Sequence, residues 1–212
     1  MHKFSNTKIF LGVLLLFVVF EGIYYIFIKP SQVTSFQAAN LEAGNLTIET
    51  NEKDFPQINF NNHNNQRVNQ HLFTANKWSM VYFGFTRCPH VCPTSMKVLE
   101  SAILQLAPEV ISNINVYFIS VDPQYDSPEV LAEYVKSYRI DIVGLQSSKE
   151  DLDKLMDFVS SHYEQDKSDI NHSNSFYLIS PQGKLQGRFD VPGNSSKIAS
   201  QITTFIESKT QL

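Results

Sequence analysis

The chain has 212 residues, 42% of them hydrophobic and 18% charged, which suits one domain with an appendage rather than several domains. Its formal net charge is −4 and it contains no basic block, which argues against nucleic acid as a partner. No internal repeat or low-complexity tract organises it.

Residues 9–28, IFLGVLLLFVVFEGIYYIFI, are almost wholly apolar, with Glu21 the one charge. At ~1.5 Å rise per residue, about twenty such residues cross a bilayer core, whereas the hydrophobic region of a cleaved signal peptide is only about 7–15 residues long. Lys3 and Lys8 precede the span and favour a cytoplasmic N-terminus over residues 1–8, although Lys29 follows it. The expectation is a single-pass signal anchor that carries the remaining chain outside the membrane. With no clear transit peptide ahead of it, the expected location is a bacterial inner membrane with the C-terminal domain in the periplasm. That compartment is oxidising, so a pair of free thiols there needs a reductant or a metal to protect it.

Residues 29–50 are rich in Ser, Thr, Asn, Gln and Ala and read as a linker. The domain is assigned to residues 51–212. Its opening stretch, FPQINFNNHNNQRVNQ (55–70), alternates Phe55, Ile58 and Phe60 with polar residues before an Asn-rich turn, which predicts an N-terminal β-hairpin. SMVYFGF (79–85) predicts a buried strand. In TSMKVLESAILQLA (94–107), Met96, Leu99, Ile103 and Leu106 recur at helical spacing, with Pro93 or Thr94 at the start. INVYFISV (114–121) is a second buried strand. DSPEVLAEYVKSY (126–138) is a helix that Ser127 caps, with Pro128 and Glu129 in its first turn. DIVGLQ (141–146) predicts a third strand and SKEDLDKLMDFVSSHY (148–163) a third helix. Residues 175–179 and 184–189 form a hairpin across Ser180-Pro181-Gln182-Gly183, and residues 195–208 a closing helix. Strands alternating with helices predict an α/β domain, with a parallel-rich sheet covered on both faces and antiparallel strands added by the last hairpin. A dithiol where the first strand feeds its helix makes this a thioredoxin-like fold.

The dithiol is Cys88 and Cys92, in GFTRCPHVCPTSM (84–96), and these are the only cysteines. With Cys92 in the first helical turn and Cys88 in the loop before it, both sulfurs can point at one place. A helix N-terminus favours thiolates, so a lowered pKa is expected for at least one of them. Pro89 and Pro93 stiffen the loop. His90 between the thiols reads as solvent-facing, with tuning or ligation as alternatives.

Two soft thiolates suit copper, zinc or iron–sulfur chemistry. A structural zinc site wants four ligands, and no further cysteine exists. Cu(I) accepts fewer, and one imidazole would complete a trigonal set. Of the six histidines, His172 is the candidate, in DKSDINHSNSFYLI (166–179), just before the strand of the terminal hairpin. In thioredoxin-like sheets that strand runs beside the cysteine strand, and thiol oxidoreductases of the fold place a cis-proline before it. No proline occurs here between Pro128 and Pro181. Taken without the fold argument, His172 reads as a histidine in a polar surface loop.

Together, YFGFTRCPHVCPTSM, FISVDPQYDSPEVLAEYVKSY and NHSNSFYLISPQGK resemble the Sco (SenC-type) family over roughly residues 50–205. The family comprises membrane-anchored, thioredoxin-like copper proteins that help build the binuclear copper site of cytochrome c oxidase. The resemblance implies Cu(I) or Cu(II) as the bound metal, with Cys88, Cys92 and His172 as its ligands. It implies the copper-site subunit of the oxidase as recipient, and other copper chaperones or thioredoxin-like reductants as further partners. Two departures remove negative charge near the proposed metal: His90 stands where the family often has an acidic residue in the cysteine loop, and Asn171 where it commonly has Asp.

In VDPQYDSP (121–128), Asp126 and Ser127 read as turn and cap chemistry. Asp122 ends a strand on the edge that holds the dithiol, where a supporting role beside the site is as plausible as a turn role. Trp78, Tyr82, Phe83 and Phe85 read as core or rim. The leading expectation is a copper chaperone with no turnover of its own. The rival is a membrane-tethered thiol–disulfide reductase in which Cys88 and Cys92 are the redox dithiol. A peroxiredoxin-type peroxidase is disfavoured, because the Pro-x-x-x-Thr-x-x-Cys order is missing.

Overall fold

The computed structural model describes residues 45–49, 53–165, 170–191 and 193–210. The expected anchor at 9–28 and most of the expected linker lie outside the described residues. Among the described residues, no helix is long and apolar enough to cross a membrane.

The strands are β1 (Leu46–Ile48), β2 (Asn59–Asn62), β3 (Arg67–Asn69), β4 (Trp78–Gly84), β5 (Ile114–Ser120), β6 (Ile142–Gln146), β7 (Tyr163–Gln165), β8 (Ile170–His172), β9 (Ser175–Ile179) and β10 (Leu185–Asp190). The helices are α1 (Val91–Ile103), α2 (Pro108–Ile111), α3 (Pro128–Lys136), α4 (Lys149–Phe158) and α5 (Ser195–Thr210). Eight strands form one sheet in the order β1-β10-β9-β4-β5-β6-β2-β3, and β7 and β8 form a separate ribbon. The central β4, β5 and β6 are parallel, and β9 joins β4 antiparallel. This is the parallel-rich, thioredoxin-like sheet that the strand–helix alternation predicts.

Parallel β4, β5 and β6 are joined through α1 and α3, and the usual right-handed crossover puts both helices on the same face. Tyr82 of β4 meets Phe118 of β5 on that face, and Phe118 meets Tyr134 of α3 with ring centroids 4.8 Å apart. On β4 the same face also carries Trp78, set edge-on against Phe205 of α5. Residue alternation turns Tyr117 the other way, onto Phe73. Phe73 stacks on Phe55, which meets Phe158 of α4 edge-on. The core is therefore two apolar layers with the sheet between them, and both faces are covered.

Several boundaries differ from the sequence reading. Residues 46–48, read as the end of the linker, pair with β10 as an edge strand. The expected N-terminal hairpin is present as β2 and β3, and β2 also closes onto β6. Its turn uses Asn65 at φ 58, as an Asn run permits. The helix read over 148–163 stops at Phe158. Ser160 takes φ 52, and the Ser161 N–H closes back on the Met156 carbonyl at 2.8 Å. This is the left-handed helix stop that glycine usually supplies, made here by a serine, so no stop signal stood in the sequence. Tyr163 consequently belongs to a strand.

Candidate metal centre

Helix α1 begins at Val91, earlier than the Pro93 or Thr94 start expected, so Cys92 lies in its first turn and Cys88 in the loop before it. The first backbone N–H groups of a helix lack intrahelical partners. No side chain caps this helix from His90, which is exposed. The Cys88 sulfur takes the N–H of Cys92 instead, at 3.4 Å. Both cysteines are free thiols; Cys88 is half-buried and Cys92 is fully buried.

Burial outweighs the helix terminus at Cys92. Its thiol is pushed up to about 12, chiefly by burial, and hydrogen bonds with the Phe85 backbone and then Tyr82 only partly oppose this. The expectation of a lowered pKa is therefore wrong for Cys92. Tyr82, on β4, is fully buried, and its own phenol is also raised, first by burial and then by the nearby Cys92. The expectation that Trp78, Tyr82, Phe83 and Phe85 are core or rim is met, since all four are buried.

The loop carrying Cys88 is fastened by Asp126, which is fully buried. Its carboxylate accepts the Thr86 N–H at 3.1 Å, the Thr86 hydroxyl at 2.6 Å and the Ser120 hydroxyl at 2.6 Å. Burial raises its pKa, and these donors pull it back. The sequence reading of Asp126 as local turn chemistry falls short, because the residue spans from the Asp122–Ser127 turn to the cysteine loop. Ser127 does what was expected and caps α3 through the Val130 N–H. Asp122 is nearly fully buried and pairs with Arg87 Nε at 2.7 Å, immediately beside Cys88. The Arg87 guanidinium also lies 5.4 Å from the Tyr125 ring centroid. Sequence reasoning missed Thr86, Arg87 and Ser120. The parallel register that sets Gly84 opposite Ser120 brings them together, and a strand register is not written in either motif alone.

His172 ends β8, opposite Tyr163 of β7, and its side chain lies outside the described residues. Two residues on, Asn174 meets the cysteine helix: its Oδ1 accepts the Tyr82 hydroxyl at 3.0 Å and the Ser95 hydroxyl at 2.9 Å. Its Nδ2 donates to the Val191 carbonyl at 3.3 Å. Asn174 went unremarked in the sequence, and no local pattern marks it. Among the described residues, no three His, Cys, Asp or Glu side chains gather as a ready metal set. The two sulfurs do converge at one helix terminus, and a soft donor pair of this kind fits copper.

Comparison with known proteins follows the same outline. Protein sco1 of Schizosaccharomyces pombe is 32% identical over 157 residues, covering 69% of this chain and 59% of that protein. The mitochondrial SCO1 homolog of Homo sapiens is 30% identical over 135 residues, covering 60% of this chain and 45% of that one. The matched stretch thus spans about half the length of these two relatives. Copper-bound ScoI of Arabidopsis thaliana superposes with a TM-score of 0.68 at 25% identity, over 74% of this chain and 99% of that one. The SCO1/SenC family model matches residues 49–207, a stretch that holds Cys88, Cys92 and His172, and the chain belongs to that family.

Proposed function

We propose that this chain is a copper chaperone for the binuclear copper site of cytochrome c oxidase. Cys88, Cys92 and His172 hold one copper ion as cargo and pass it by ligand exchange to the copper-site subunit. The observation that carries this reading is the convergence of the two sulfurs at the start of α1, with the Cys92 N–H on the Cys88 sulfur. The copper bound in the Arabidopsis thaliana relative supports it. Two thiolates and an imidazole leave one net negative charge with Cu(I) and none with Cu(II).

The raised Cys92 thiol has a consequence for loading. Metal ligands must be deprotonated, so copper uptake releases the Cys92 proton and is favoured as pH rises. Residues 9–28 anchor the chain in a bacterial inner membrane with this domain in the periplasm. Other copper chaperones and thioredoxin-like reductants would load it and keep its thiols reduced.

His172→Ala tests the ligand set. It should weaken copper binding by more than the ~10–100-fold typical of losing a ligand's supporting partner. It should leave disulfide reduction within a few-fold. Equal copper affinity in variant and parent removes His172 from the site.

A further inference from the structure

We propose that Asn174 is the positioning residue that fastens the His172 segment onto the cysteine helix, through Tyr82 and Ser95. The inference rests on the reading of His172 as a ligand. Three elements meet at one amide: Tyr82 comes from β4, Ser95 from α1 three residues after Cys92, and Val191 from the end of β10. The Val191 N–H also donates to the Asn174 carbonyl at 3.0 Å.

The bonding pattern fixes which way the amide points. Its oxygen faces two hydroxyls, both able to donate, and its nitrogen faces a carbonyl that can only accept. Rotating the amide by half a turn would set oxygen against the Val191 carbonyl, so one orientation is strongly preferred. Tyr82 and Ser95 are almost fully buried, which makes their shared acceptor costly to remove.

On its other side the segment is held by backbone pairing. His172 pairs with Tyr163, and the Ser173 N–H reaches the His162 carbonyl at 3.4 Å. These bonds hold the segment to the β7–β8 ribbon. The Asn174 side chain joins it to the helix carrying Cys92. A side chain without hydrogen-bonding atoms here would leave the ribbon intact and loosen the distance between imidazole and sulfurs.

The test is a double-mutant cycle in the full chain, comparing parent, Asn174→Leu, His172→Ala and the double variant. Cu(I) affinity is read by competition with a chromophoric chelator. With His172 present, Asn174→Leu should weaken copper binding about 10-fold, the lower end for a ligand's supporting partner. With His172 absent it should change affinity less than about twofold, because the two effects are coupled. In the Cu(II) form, imidazole nitrogen couplings in pulsed EPR should be diminished or broadened by Asn174→Leu. If Asn174→Leu fails to fold, Ser95→Ala takes its place in the cycle and should give a smaller coupled loss. Equal losses with and without His172 overturn the inference and assign Asn174 to helix stability alone. No loss from His172→Ala itself overturns the ligand set, and this inference with it.

Discussion

The two ends of the candidate copper site are anchored differently. At the cysteine end, one buried carboxylate, Asp126, gathers three donors from Thr86 and Ser120 and ties the loop to the ends of two central strands. At the histidine end, β8 pairs only with β7, and the ribbon is tied to α4 by a hydrogen bond from the Tyr163 hydroxyl to Asp153 at 2.9 Å. The cysteine end is thus preorganised by the main sheet, while the histidine end sits in a two-stranded ribbon just before β9 joins that sheet. Under the proposed ligand set, that asymmetry would suit a carrier that must both hold and release a metal, with two ligands held by the main sheet and the third at its margin.

The comparison is broken most directly at Asp126. Asp126→Ala should lower stability by about 3 kcal/mol, because the buried Ser120 hydroxyl, the half-buried Thr86 hydroxyl and one backbone N–H lose a charged acceptor. Urea unfolding checks this, and a loss under about 1 kcal/mol would mean that the cysteine loop is held by other contacts. The next effect comes from pH. With its folded value near 12 against an ordinary 9.0, Cys92 keeps its proton in the folded state after the unfolded chain has lost it. Below about pH 9 the two states bind it equally and stability is fully present. Above that, the metal-free protein should lose up to about 1.4 kcal/mol per pH unit until the folded thiol also ionises. Unfolding midpoints of the parent and Cys92→Ala at pH 9 and 10 isolate this term, since the variant should lack it.

The smallest effect is expected at the ribbon. Tyr163→Phe removes the bond to Asp153, whose carboxylate also holds Lys149 at the exposed surface. Global stability should fall by less than about 1 kcal/mol. Hydrogen exchange of the β7 and β8 amides should nevertheless quicken while that of β4 and β5 does not. Uniform exchange across both regions would show the two ends to be equally rigid and remove the asymmetry.

Much of this was legible from local pattern. The central strands β4 and β5 are mostly apolar seven-residue runs that read as buried strands, and Ser127-Pro128-Glu129 announces the start of α3 through cap, ring and charge together. Both thiols lie within five residues, so the sequence alone places them at the start of one helix. The errors have physical causes. Ser160 stops α4 in a conformation that serine seldom adopts, so the strand at Tyr163 was hidden inside an apparent helix. At least one of the two thiols was expected to be acidic from its place at a helix terminus, and Cys92 is not. Its burial against Tyr82 depends on neighbours that are distant in the chain, and that burial won.

The amino-acid order by itself determined most of the elements, the alternation of the central ones, and which soft donors exist to meet a metal. These follow from periodicity, capping and residue chemistry within a few positions. Only the tertiary structure decided that Asp126 would hold Thr86, that Arg87 would pair with Asp122, and that Asn174 would join the His172 strand to the cysteine helix. Strand register and helix packing set each of these meetings across 35 to 79 positions of chain. A polar side chain's partner is chosen by what burial leaves within reach, and no local sequence pattern records that choice.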